Sequence, residues 1–151
     1  MNRAWRLLAG LLLWVVATVA AADDMLMVRS SEPFEETMLL LQEAIGAEGY
    51  TLSRVQRVDI GLTEFGYKTD KYRVVFFGRP VEIRELSASY PELIPHLPLQ
   101  IAIFAEAEET LLAAANPTDL GEAYGDPALT ALFARWEQDL RAILERVRRK
   151  E

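Results

Sequence analysis

The chain has 151 residues, 51% hydrophobic and 26% charged, with 16 Lys and Arg against 23 Asp and Glu, one His and no Cys. These totals fit one globular domain and leave disorder no large share. The missing cysteine excludes a disulfide scaffold, a thiolate metal site, a cysteine nucleophile and a lipidated N-terminal cysteine, and a net charge of −7 argues against broad binding to nucleic-acid backbone.

Arg3 and Arg6 open the chain, Leu7 to Val19 is an uncharged apolar run, and Ala20-Ala21-Ala22 precedes Asp23-Asp24. That order is the layout of a secretory signal peptide over 1–22, cleaved after Ala22. Leu7 to Ala22 is 16 residues, short of the roughly 20 a spanning helix needs. The expected mature domain, 23–151, holds 14 basic and 23 acidic residues, a net charge of −9, and Trp136 as its one tryptophan. It is expected to be exported to a periplasm or secreted, with no membrane and no nucleic acid among its partners.

Met25 to Arg29 reads as a first strand. Ser31-Glu32-Pro33 is a helix start, with a capping hydroxyl and a proline in the first turn. Phe34, Met38, Leu41 and Ile45 then form one apolar stripe, and Gly49 supplies a left-handed end after Ala47 or Glu48. Tyr50 to Asp59 reads as a strand whose imperfect alternation suggests a bulge. Ile60 to Asp70 is loop chemistry with one helical turn around Leu62 to Phe65.

Tyr72 to Phe77 is a compact strand stopped by Gly78 and Pro80. Pro80 to His96 reads as a short helix over Glu82 to Ser87 followed by an irregular link. Leu99 to Ala105 and Thr110 to Ala115 form an antiparallel hairpin across Glu106 to Glu109. After Asn116-Pro117 and a loop holding Gly121 and Gly125, Asp126-Pro127 caps a long helix whose stripe runs Leu129, Leu132, Phe133, Trp136, Leu140, Ile143, Leu144 and Val147. Arg146, Arg148, Arg149 and Lys150 complement the dipole at its end. Strand, helix, four strands and helix make an α+β two-layer domain, a mostly antiparallel five-stranded sheet with the helices on one face.

Phe77-Gly78-Arg79-Pro80, Leu97-Pro98-Leu99 entering a strand, and Asn116-Pro117 with Leu120 close behind resemble the family called domain of unknown function 302. Phe34-Glu35-Glu36-Thr37 before a Leu-rich helix and Gly49 fits the same pattern, so the resemblance spans about Met25 to Tyr124. It implies a TATA-binding-protein-like fold and no assigned activity. Many members of that family have Asn where Arg79 stands, Asp-His where this chain has Asp59-Ile60, and a Gly in the hairpin turn that Glu108-Glu109 replaces.

Chemistry-bearing constellations are sparse. His96 is the single imidazole, so zinc-type ligation cannot be completed, and no metal or cofactor is expected. Glu106, Glu108 and Glu109 lack calcium-loop spacing and read as a solvated turn. There is neither a Gly-x-Ser-x-Gly elbow nor a phosphate-cradling glycine loop. Arg79, after Gly78 and before Pro80, is restrained enough to meet an anion.

The strands carry more. Val74 to Phe77, Ile101 to Ala105 and Leu111 to Ala115 are apolar at both parities, so both sheet faces call for cover. Two helices cover one face; the second is covered by the Pro80 to His96 link or serves as a groove. The reading is therefore a small binding module that holds an apolar or amphipathic ligand, or forms a homodimer, through the second face, lined by Phe76, Phe77 and Phe104 with Arg79 and His96 at the rim. The alternative is a small hydrolase or isomerase with Asp59, Glu64 or His96 as acid and base, which requires two of these groups to converge.

Overall fold

The computed structural model describes residues 25–67, 69 and 71–148. The expected leader, Asp70, Arg149 and Lys150 lie outside the described residues. Strand β1 (Met25–Ser30) leads to helix α1 (Phe34–Ala47), strand β2 (Thr51–Arg57), the short helix α2 (Asp59–Glu64) and strand β3 (Tyr72–Gly78). Helix α3 (Pro80–Ser89) and a 3₁₀ turn (Pro91–His96) precede the hairpin of β4 (Leu99–Glu106) and β5 (Glu109–Ala115). Helices α4 (Asp119–Tyr124) and α5 (Pro127–Arg148) follow.

The sheet is antiparallel throughout, in the order β1-β5-β4-β3-β2, and the helices pack on one face. One parity of each strand is the core: Leu26, Leu112, Ile101, Ile103, Val75 and Phe77 meet Leu41 and Ile45 of α1 and Leu140, Ile143 and Leu144 of α5. Each fully buried side chain of this kind contributes about 1.5–3 kcal/mol over its exposed state. A second cluster gathers Leu93, Leu129, Phe133 and Trp136, with Leu86, Tyr90 and Leu97 packed on it. The Pro80 to His96 segment therefore lies against the first half of α5, where Trp136 Nε1 also donates to Glu82 Oε2 at 3.3 Å. It does not cover the second sheet face.

Local physics explains most element ends. Pro33 precedes α1 without a side-chain cap; the turn is organised by Ser30, whose Oγ accepts from the Glu32 amide at 3.2 Å and lies 3.1 Å from Thr37 Oγ1. The capping hydroxyl expected at Ser31 is thus one residue earlier and acts inside the turn. Gly49, at φ +76°, ends α1 as expected. The bulge in β2 falls between Leu52 and Arg54. Asp126 Oδ1 accepts from the Ala128 amide at 2.7 Å and starts α5, with Pro127 tolerated in its first turn.

Three expectations need correction. Helix α3 runs from Pro80 to Ser89, longer than Glu82 to Ser87, because Pro80 takes the first helical position. The link after it is a 3₁₀ turn anchored by Leu93, which is fully buried. The loop before α5 contains α4, closed by Gly125 at φ +61°. The acidic hairpin tip is pinned by Arg29, which donates to Glu106 at 2.7 Å and Glu109 at 3.0 Å.

Candidate functional site

Because β4 and β5 form a hairpin, the residues just before β4 and just after β5 are neighbours at one end of the sheet. Phe76, near the end of β3, reaches the same place, since it pairs with Gln100. Around these strand ends is a cleft of about 360 Å³. Trp136, Leu140 and Leu120 bring the helices to it; Phe76, Pro98, Leu99 and Ala115 bring the sheet. His96, Gln100, Asn116 and Asp119 supply its polar groups. Mostly apolar walls with a few convergent polar groups are the usual composition of a small-molecule site, and the volume is at the lower end of the usual range.

The polar groups differ in how firmly they are held. Asn116 is buried, and its Oδ1 accepts from the Thr118 amide at 3.1 Å and hydroxyl at 2.8 Å, which fixes the Asn116-Pro117 corner. His96 is exposed and stands edge-on to Tyr124, ring centroids 6.1 Å apart; Tyr124 in turn donates to the Glu92 carbonyl at 2.9 Å. Trp136 is held by Glu82, which also pairs with Arg135.

The residues singled out from the sequence divide among three places. Phe76 and His96 share the cleft. Phe77 points the other way, fully buried in the core with the Tyr50 ring edge-on at 5.4 Å, so it lines no second face. Phe104 is on the second face but pairs with Tyr72, four residues along β3 from Phe76, or roughly 13 Å at the usual strand rise. On that face Met25 and Met27 are exposed, whereas Leu111 and Ala113 are buried.

Arg79 belongs to a polar network on the helix side. Its guanidinium lies 4.1 Å over the Tyr50 ring, donates to the Glu48 carbonyl at 3.0 Å and pairs with Asp139 at 3.2 Å. Tyr50 donates to the same Asp139 carboxylate at 2.6 Å, and burial, then this bond, pushes its hydroxyl far above the usual tyrosine range. Arg79 is therefore committed to protein partners.

Asp59 is buried where β2 meets α2. Arg57 donates to Oδ2 at 2.6 Å and Arg73 to Oδ1 at 2.7 Å. The Arg57 hydrogen bond outweighs burial and, with both arginine charges, holds its carboxyl below the usual carboxylate range. It is a structural anion, locked as the partner of two cations. It stands by the end of β3 that pairs with Ile103 and Phe104, whereas His96 lies before the opposite end of β4. Glu64 is exposed at the end of α2. The Asp59 and His96 pair needed for acid and base work is thus not assembled. Among the described residues no cluster of three or more His, Asp or Glu side chains is arranged to hold a metal ion, and no helix is long and apolar enough to cross a membrane.

Sequence reading missed Trp136, Gln100, Asn116 and Asp119 as cleft residues. The hairpin itself was the available signal, since it places the Pro95 to Pro98 run beside Asn116-Pro117.

Comparison with known proteins agrees with this architecture. The family model described as domain of unknown function DUF302 matches residues 26–147. The crystal structure of an uncharacterized conserved protein DUF302 from Bacillus stearothermophilus is similar with a TM-score of 0.74 and 26% identity, covering 84% of this chain and 100% of that one. A search of curated proteins gives no match.

Proposed function

The chain belongs to the DUF302 family, and from that premise we propose that it is an exported binding module which holds a small apolar or amphipathic molecule in the cleft at the β4–β5 strand ends. The observation that carries the reading is the cleft's composition: Phe76, Leu99, Leu120 and Trp136 offer an apolar body, and His96, Gln100 and Asn116 offer polar contacts at its margin. Export rests on the leader-like order of Arg3, Arg6, the apolar run and Ala20-Ala21-Ala22. The family resemblance supports a TATA-binding-protein-like arrangement, and the net charge expected for the mature domain supports a partner that is not nucleic acid. Trp136 gives the test its signal, because it is the single tryptophan of the expected mature domain and lines the cleft. Titrating that domain with hexanol and octanol should shift Trp136 emission saturably, and Ala115→Phe, which fills the mouth from an exposed position, should abolish the shift. An unchanged response in Ala115→Phe would contradict the assignment.

Self-association through the second sheet face is a second reading, supported by Met25 and Met27, which are 48% and 52% exposed there.

A further inference from the structure

The cleft at the β4–β5 strand ends is lopsided in charge. Among the residues that line it, Asp119 is the single carboxylate and none is Lys or Arg, while His96 counts as neutral in the formal charge at pH 7. Asp119 is exposed in the first turn of α4 and forms no ion pair among the described residues. Arg135, next to Trp136 in the chain, is taken by Glu82 and Asp139, and Arg79 by Asp139. The backbone does not make up for the missing cations. At the corner where Asp119 stands, the Thr118 amide donates to Asn116 Oδ1 at 3.1 Å and the Asp119 amide to the Asn116 carbonyl at 3.3 Å. The Leu120 amide donates to the Pro117 carbonyl at 3.1 Å and the Gly121 amide to the Thr118 carbonyl at 2.9 Å. The amides of this turn are thus consumed inside it and leave no nest for an anion. The indole N–H of Trp136 is held by Glu82, so that ring gives the cleft surface and no donor.

We infer that the cleft takes an amphipathic amine in its ammonium form, its apolar body against Phe76, Leu120 and Trp136 and its charged head at Asp119. The inference rests on the cleft reading proposed above and adds the sign of the ligand's charge. An ammonium head gains twice: the carboxylate attracts it, and aromatic rings attract a cation through their electron-rich faces. Gln100, exposed on the same margin, supplies an amide oxygen that can accept a further N–H. A carboxylate or phosphate head meets the opposite situation. It would sit beside Asp119 with no cation to offset the repulsion, on a chain of net charge −7. A neutral alcohol keeps the apolar contacts and forgoes the charge pair.

Octylammonium, octanol and octanoate share one chain length and differ in charge. Each is titrated by calorimetry, at low ionic strength and about pH 8, where alkylamines remain protonated, into the protein purified after expression with its own leader. The expected order of affinity is octylammonium, octanol, octanoate. Octylammonium should bind about three- to tenfold tighter than octanol, the scale of a partly exposed charge pair plus a cation–ring contact. Salt at about 0.5 M should shrink that ratio, because exposed charges are screened. Asp119→Asn should bring the ratio near one. Glu122→Gln, at an exposed acid further along α4 and outside the cleft lining, should preserve it. Octanoate binding as tightly as octylammonium, or a ratio that survives Asp119→Asn, would overturn the inference. Equal loss of the ratio in Asp119→Asn and Glu122→Gln would overturn it in favour of overall charge, and octylammonium binding retained in Ala115→Phe would overturn it in favour of another site. Octanol binding that is lost in Ala115→Phe, with no advantage for octylammonium, overturns the charge assignment and leaves the cleft reading standing. Failure of all three probes to bind overturns both.

Discussion

The Tyr50 hydroxyl donates to Asp139 at 2.6 Å, tying the start of β2 to the middle of α5 across 89 residues of sequence. The same carboxylate pairs with Arg79 at 3.2 Å and Arg135 at 3.3 Å, so one acid joins the β3–α3 corner, the first helix-to-strand turn and the long helix.

Tyr50→Phe should destabilise the domain by about 1 kcal/mol, the usual net value of a hydrogen bond. Because the folded-state pKa of Tyr50 is raised, its contribution is fully present below the ordinary tyrosine value near pH 10 and is lost as pH rises through the folded value. Urea unfolding of wild type should show stability falling above about pH 10, and Tyr50→Phe should flatten that alkaline limb. An identical limb in both proteins would show that another group causes it.

Asp59 has the opposite sign. Its folded pKa is lowered, so its contribution is present above the ordinary carboxylate value of about 3.9 and is lost as pH falls through the folded value. Asp59→Asn should be less stable than wild type at neutral pH, with the gap closing in acid, read from the urea midpoint across pH. The same substitution leaves Arg57 and Arg73 without their shared anion.

At Gly78 a Cβ would meet Ile83 Cδ1, the far end of a half-buried side chain that can turn aside, where the first turn of α3 folds back on β3. Gly78→Ala should therefore cost about 1 kcal/mol or less, the scale of one off-rotamer side chain. Adding Ile83→Val removes the methyl group that must move and should recover most of that loss. Urea midpoints of the single and double variants decide this.

The fold was legible because its signals are local. The Phe34 to Ile45 stripe, the Asp126-Pro127 start and the runs of β3, β4 and β5 each follow from spacing over a few residues. What was not legible depends on direction. Val74 to Phe77 is apolar at both parities, so the pattern could not say that Phe77 points into the core while Phe76 turns to the cleft. Tertiary contacts also decide short elements such as α4, whose Gly121 and Gly125 carry loop signals. His96 and Phe76 were named from sequence for a sheet face and meet instead at the sheet's end, where the hairpin geometry brings Asn116 and the cis Leu97–Pro98 corner together. Asp59 stood out as a carboxylate, and Arg57 stands two residues before it; that Arg73 also reaches it depends on the β2–β3 register, which no local spacing reveals.

Trp136 also serves as a reporter of the helix-side network, since its indole N–H is held by Glu82. Glu82→Gln removes the ion pair with Arg135 and keeps an acceptor for the indole, so it should leave Trp136 emission close to wild type. Glu82→Ala should alter the emission and lower stability by about 1 kcal/mol or more. Equal spectra for the two variants would show that Glu82 does not hold the ring.

Native mass spectrometry of the protein expressed with its own leader reads directly whether the cleft holds a ligand. The expected species is a chain beginning at Asp23 that carries an adduct of small-molecule mass, and that adduct should be lost in Ala115→Phe. A bare chain in the wild type, or an adduct retained at equal occupancy when the cleft is filled, would contradict it.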